Sequence, residues 1–223
     1  MSNHPPENPV VTSALLDLTR AVRSVRTQMA LVGGQALQSY GVPRTTEDAD
    51  TLVSREDLET LADELVDRFG WTPLDYDDET EGYAPTDRPV VLLMDDPVLF
   101  DVHEQREMIA LEAQLGLVVE LLAAQHPVEQ EMIARAAIRT HYDVRVPVAP
   151  LGGVLLVKVK AHRNKDTAAI EQTVEQLPAE QIRAAVDWAN EYDPATAEDL
   201  RSIVRAVRIR RTPSGRRPRR PSQ

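Results

Sequence analysis

Apolar and polar positions along this chain change period repeatedly, and each change predicts a different kind of element. Leu15, Leu16, Leu18, Ala21, Val22 and Val25 fall at helical spacing, which predicts a helix over residues 12–29 with Thr12 or Ser13 as its N-cap. Ala30, Leu31 and Val32 form a brief apolar run ending at Gly33 and Gly34. Residues 35–40 then have room for only about two helical turns before Gly41 and Pro43 stop them. Residues 49–53 read as a strand. Ser54 with Asp57 three residues on resembles a capping box, opening a helix whose apolar face is Leu58, Leu61, Ala62, Leu65 and Phe69 and whose end is Gly70.

Residues 72–89 mix proline, glycine and acids, which predicts a long solvated loop or an irregular hairpin. Strands are expected over 90–94 and 98–103, with a turn at Pro97 between them, then a helix over roughly 108–125 and a short strand over 144–148. Beyond Pro150 the spacing is helical throughout, over 154–163, 167–176, 179–190 and 195–210, with breaks at Pro178 and Pro194. No internal repeat is present. The fold class is therefore α+β: a small mixed sheet with flanking helices over residues 1–150, a helical bundle over 151–210, and a disordered Arg-rich tail over 211–223.

Composition narrows this picture. With 223 residues and 42% apolar content the chain can bury one sizeable core, with or without a helical appendage. The absence of cysteine excludes disulfides and thiolate metal sites and suits a reducing, cytoplasmic compartment. The polar start MSNHPPENPV and the short apolar stretch 115–124, interrupted by Glu120, indicate neither a secretory signal nor a membrane span.

The net charge of -11 is unevenly spread, because residues 201–223 carry nine arginines and no acid. The body before them is strongly acidic and would repel a phosphate backbone over most of its surface, so a nucleic acid would need a local basic site, bound cations or the tail. The tail itself reads as a solubilising end, an RNA contact or a segment that docks on the acidic body.

Candidate chemistry centres on Asp48 and Asp50. At i and i+2 in a strand both carboxylates leave one face of the sheet, and two like charges that close are costly unless a cation sits with them. Oxygen ligands without thiolate or clustered imidazole select Mg²⁺ or Mn²⁺ over zinc. Gly33-Gly34, between a strand and a helix, lets backbone approach a phosphate or simply makes a tight turn. Asp101 falls on a predicted strand, on one face with Leu99 and His103, and either completes a three-carboxylate cluster suited to two-metal phosphoryl transfer or marks the strand's polar end.

Lys160 and Arg163 are i, i+3 neighbours, able to meet a polyanion together or to form a solvated basic face. Asp166 is placed to cap a helix starting at Thr167. His103-Glu104 lacks a second histidine at i+4, so a zinc-protease motif is absent. His126, His141 and His162 read as surface or core-edge residues, and Trp71 and Trp188 as packing residues. Nine aromatics give no evident stacking platform for single-stranded RNA.

The run Gly33, Gly34, Ala36, Gly41, Arg44, Thr46, Asp48 and Asp50 resembles the first motif of nucleotidyltransferase-fold proteins of the DNA polymerase β superfamily, and most of all the AbiEii/AbiGii-type toxin group. Residues 151–172, LGGVLLVKVKAHRNKDTAAIEQ, are similar to that group's helical segment, in which a lysine, an arginine and Lys-Asp precede another helix. The two patches and the Asp101 strand cover under half of the chain. Gly34 stands where the family often has serine.

The resemblance implies a nucleotidyltransferase-type sheet and transfer of NMP from an NTP to an acceptor hydroxyl. Asp48, Asp50 and Asp101 would be catalytic and hold Mg²⁺ or Mn²⁺, with Asp101 helping to deprotonate the acceptor. Gly33, Gly34, Arg44, Thr46, Lys160 and Arg163 would meet nucleotide, with Lys158 a companion, although Arg44 would equally serve to brace the aspartates. The implied acceptor is an RNA end such as tRNA, with the protein acting as a toxin beside an antitoxin partner. An aminoglycoside-type transferase shares the Gly-Gly and D-x-D layout, and the acidic run Asp75 to Glu81 suits its cationic substrate. A non-catalytic regulator or antitoxin that keeps the fold is the third reading.

Overall fold

The computed structural model describes residues 8–46, 48–77, 79–95 and 105–211. The expected strand over 98–103, with Asp101, and the tail beyond Arg211 lie outside the described residues. Helix α1 (Pro9–Val25) starts earlier than its apolar spacing suggested, because Asn8 caps it: its side-chain oxygen accepts from the Val10 and Val11 amides at 3.2 and 3.3 Å. It also ends at Val25, short of the expected residue 29, because Arg26 turns into the left-handed region at φ 58°; β1 (Met29–Leu31), α2 (Gly33–Ser39) and β2 (Asp48–Ser54) follow. The Ser54 cap does not form. Residues 55–57 make a 3₁₀ turn without a side-chain cap bond, and Asp57 instead accepts from the Thr27 hydroxyl at 2.5 Å.

α3 (Leu58–Phe69) ends at Gly70 in the left-handed region, and residues 72–89 contain the irregular hairpin, β3 (Thr72–Asp77) and β4 (Gly82–Pro85). After β5 (Leu92–Asp95) the expectation of a helix over 108–125 is wrong. That segment is a hairpin, β6 (Gln105–Glu112) and β7 (Val118–Ala124), turning at Gly116 with φ +87°. Met108 to Leu111 are all buried, because both faces of β6 are covered there. A strand covered on both faces loses its alternation and reads like a buried helix.

α4 (Pro127–Ala134) and β8 (Ala137–His141) were not foreseen; β8 pairs with β9 (Val144–Val148) through a two-residue turn in which Tyr142 and Asp143 both have positive φ. The expected helices follow as α5 (Leu151–Ala161), α6 (Asn164–Gln176), α7 (Ala179–Tyr192) and α8 (Pro194–Arg211). No helix among the described residues is long and apolar enough to cross a membrane.

The strands form one mixed sheet in the order β4-β3-β6-β7-β2-β1-β9-β8, with β5 also paired to β6. β2 runs parallel to β7 in a register that sets Asp50 beside Glu120, and β6 sets Ala110 on the other side of Glu120. Ala49, Val53, Val119, Leu121 and Ala123 point to the opposite face, into the main core with α1 and α3. That core runs without a break into α5 to α8, through Leu155, Ile170, Ile182 and Leu200 among others. α5 docks closely because a Cβ on Gly152 would lie 2.5 Å from the Ala185 carbonyl oxygen and one on Gly153 2.6 Å from Met132 Cγ. The packing fixes α5 against α4 and α7 and so fixes where its lysines emerge.

Candidate active site

The Gly33-Gly34 turn is shaped by what lies against it. Gly33 has φ +60°, and a Cβ there would stand 1.7 Å from Asp50 Oδ2; a Cβ on Gly34 would stand 2.7 Å from Thr46 Oγ1. Thr46 in turn donates its hydroxyl to Asp48 Oδ1 at 2.6 Å. The two glycines, the threonine and both aspartates are thus one interlocked unit, in which the first carboxylate is held by a hydroxyl and the second is pressed on bare backbone.

Two glutamines one turn apart on α2 brace this unit. Gln35, 1% exposed, donates from Nε2 to the Asp48 carbonyl at 3.3 Å, and its Oε1 lies 2.8 Å from Nε2 of His141. The amide nitrogen is committed to Asp48, so its oxygen accepts and the hydrogen-bond network assigns the His141 proton to Nε2. Gln38 likewise donates to the Arg44 carbonyl and accepts the Tyr142 hydroxyl at 3.2 Å.

His141 is therefore a buried strut rather than a surface or core-edge group. Burial pushes its pKa down to about 4, which leaves it neutral at pH 7. Between pH 6.5 and 4 the unfolded chain binds the proton that the folded one refuses, so this residue's contribution to stability is lost on acidification, on the order of 3 kcal/mol in all. His141→Phe should be less stable than wild type by about 1–3 kcal/mol at pH 7, because the Gln35 oxygen is left unpaired. Urea denaturation at pH 7 and pH 4.5 should show that deficit shrinking with acid; a constant gap would contradict the assignment.

Asp50 meets a second acid across the sheet. Asp50 and Glu120 are register partners on neighbouring parallel strands, and the pKa of Asp50 is pushed up to about 7, first by burial, then by the charges of Glu120 and Asp48, with Lys158 pulling the other way. Two acids held this close are costly to charge together, and they mark a place where a cation would be at home. Glu120 also accepts the Tyr83 hydroxyl at 2.8 Å. Among the described residues no group of three or more histidine, aspartate or glutamate side chains is arranged to hold a metal ion. Glu120 is the acid the sequence reading lacked, though its signal was visible: a lone carboxylate inside the most apolar stretch of the chain.

The basic residues separate. Lys158 and Lys160 are two apart on α5, which sends them to nearly opposite sides. Lys158, 9% exposed, is the cation that bears on Asp50, and it bonds Asp166 Oδ1 at 2.9 Å. Lys160 instead lies 2.7 Å from Asp193 at the start of α8.

The expected i, i+3 face of Lys160 and Arg163 does not form, because α5 ends at Ala161 with His162 in the left-handed region and Arg163 opens α6. Arg163 bonds Asp166 Oδ2 at 2.5 Å. Asp166 is not the cap of a helix from Thr167; it sits inside α6, 1% exposed. Burial alone would raise its pKa, but bonds from Arg163 and Lys158 outweigh burial and hold it low. Arg44 is half-buried, and its buried Nε has no hydrogen-bond partner among the described residues.

No family model and no curated protein matches this chain. Solved structures do. A Thermotoga maritima protein provisionally named a nucleotidyltransferase superposes with a TM-score of 0.52 at 11% identity, over 79% of this chain and 100% of that one. The antibiotic-resistance factor ANT(2″)-Ia gives 0.43 at 15% identity, over 90% and 94%. The Thermotoga maritima CCA-adding enzyme, solved with tRNA, gives 0.39 at 12% identity, over 89% of this chain and 52% of that one. The fold is the nucleotidyltransferase type.

Proposed function

We propose that the chain is a metal-dependent nucleotidyltransferase that moves NMP from an NTP to an acceptor hydroxyl. The observation that carries the reading is the adjacent Asp50–Glu120 pair, with Asp50 pressed onto Gly33 at the mouth of a nucleotidyltransferase-type sheet. The donor set of Asp48, Asp50 and Glu120 is all oxygen and rich in negative charge, which suits Mg²⁺ or Mn²⁺. Bound there, the ion would offset triphosphate charge and acidify the acceptor hydroxyl.

The chain's own residues would do the rest. Gly33 and Gly34 bring bare backbone to the phosphates, while Lys158 and Arg163, oriented by Asp166, supply positive charge from the helical side. Arg44 and Thr46 flank the same opening. The acceptor oxygen attacks the α-phosphorus, its proton passes to a carboxylate, and the bond to the β-phosphate oxygen breaks to release pyrophosphate. Glu120 takes the third carboxylate position among the described residues. Lys160, tied to Asp193, would reach phosphate only by exchanging that partner.

By the first-motif resemblance the acceptor is an RNA end such as tRNA, and the cellular role that of a toxin with an antitoxin partner. One observation favours a second acceptor: the β3–β4 hairpin carries Asp75, Asp77, Glu79 and Glu81 on the strand pair whose Tyr83 reaches Glu120, and such a rim suits a cationic aminoglycoside better than a phosphate backbone.

Purified protein with Mg²⁺, each labelled NTP, and either total tRNA or an aminoglycoside panel separates these readings. Label should pass to one acceptor class with wild type and to neither with Asp50→Asn. Transfer to neither with wild type, together with an unchanged cellular effect for the variant, would leave the non-catalytic regulator.

A further inference from the structure

Tyr83 stands at the sheet's edge, on β4, yet its hydroxyl ends on a carboxylate of the central strand β7. The ring gets there by lying over a second, smaller apolar cluster of Leu74, Met108 and Ala110 on the acid-bearing face. Ala110 is the cross-strand neighbour of Glu120, and its small side chain leaves the room that a larger residue would take. Tyr76, paired with Tyr83 across the hairpin, meets its ring edge to face, with centroids 5.9 Å apart and planes at 81°. The tyrosine is therefore anchored on its ring and free to spend its hydroxyl on Glu120.

We propose that Tyr83 is a positioning residue: its hydroxyl fixes the Glu120 carboxylate beside Asp50, and through it the hairpin sets the geometry of the acidic site. This rests on the reading of that site as one that holds a divalent cation. A glutamate on an open sheet face has several rotamers of similar energy, and only those that turn the carboxylate toward Asp50 let the two share an ion. A hydroxyl on Oε1 selects among them and leaves Oε2 to face the ion, the role of outer partners that orient metal-binding carboxylates generally.

Tyr83→Phe removes the hydroxyl and keeps the ring, so the contacts with Tyr76 and the Leu74–Met108–Ala110 cluster remain. Mn²⁺ binding followed by electron paramagnetic resonance on the full chain should weaken by about 10- to 100-fold in this variant. The thermal midpoint without metal should stay close to that of wild type. In a Glu120→Gln background the same Tyr83→Phe change should alter Mn²⁺ affinity by less than about twofold, because the group it orients no longer carries the charge.

Equal Mn²⁺ affinity in wild type and Tyr83→Phe would overturn the proposal while leaving the cation site standing. An equal loss in both backgrounds would also overturn it, by showing that the hydroxyl acts through the hairpin's packing instead. If wild type binds no Mn²⁺, the reading of the acidic site fails first and the positioning role falls with it.

Discussion

Gly33→Ala should unfold the site before it unfolds the protein. The added Cβ would occupy the space of Asp50 Oδ2, only 1.7 Å away, at a backbone position with φ +60°. An alanine in the left-handed region costs about 1–2 kcal/mol, and overpacking adds roughly 1–3 kcal/mol. The variant should therefore lose about 2–5 kcal/mol in chemical denaturation and have no measurable transfer. Gly41→Ala is the internal control: φ is +90° but nothing lies within 4 Å of its Cβ, so only the backbone part applies. Adding Asp50→Ala to Gly33→Ala should recover the overpacking part of the stability and none of the activity. If Gly33→Ala costs no more than Gly41→Ala, the close approach of Asp50 to the turn is wrong.

Asp50→Asn should make the protein more stable and inactive. The folded carboxyl titrates near pH 7 while an unfolded aspartate titrates near 3.8. From pH 4 to 7 the folded state keeps a proton that the unfolded state has released, so wild type loses stability as pH rises through that window. The amide has no such dependence. The variant's advantage should grow from near zero at pH 4 to on the order of 2–4 kcal/mol at pH 8, and saturating Mg²⁺ should erase most of it by stabilising wild type alone.

Transfer should fall by about 10³-fold or more, since the group facing the reaction has lost its charge. This slope is opposite in sign to that of His141, so wild type alone would show a shallow profile and the two single variants are needed to separate the contributions. A variant no more stable than wild type at pH 8 would mean that Asp50 is not buried against Glu120. Gain of stability with loss of activity is the expected signature of a strained functional group.

Much of the site's first half was legible because it is local. Gly33, Gly34, Thr46, Asp48 and Asp50 lie within a short stretch whose turn and strand follow from glycine and alternation, and their interlocking needs only that β2 return alongside β1. The second half was not. Glu120 was hidden by the helical reading of 108–125, an error with a physical cause: apolar residues on both faces of β6 erase the period that tells strand from helix. The expected shared face of Lys160 and Arg163 was lost for a related reason. The helix-turn at His162 redirects Arg163, and only the docking of α5 among its neighbouring helices decides which of two alternating lysines bears on Asp50.

By itself the chain determined an α+β organisation, the helical character of residues 151–211, and a turn-and-strand unit able to present two carboxylates on one face. Those features arise from neighbours in sequence, through backbone conformation and side-chain period. The tertiary structure alone decided that Asp50 would face Glu120, that Lys158 would bear on Asp50 while Lys160 pairs with Asp193, that Gln35 and His141 would brace the Asp48 backbone, and that Tyr83 would bond the Glu120 carboxylate. Each of these depends on strand register or helix docking between segments far apart in the chain, and those are set by burial of the whole core, whose effect no local pattern records.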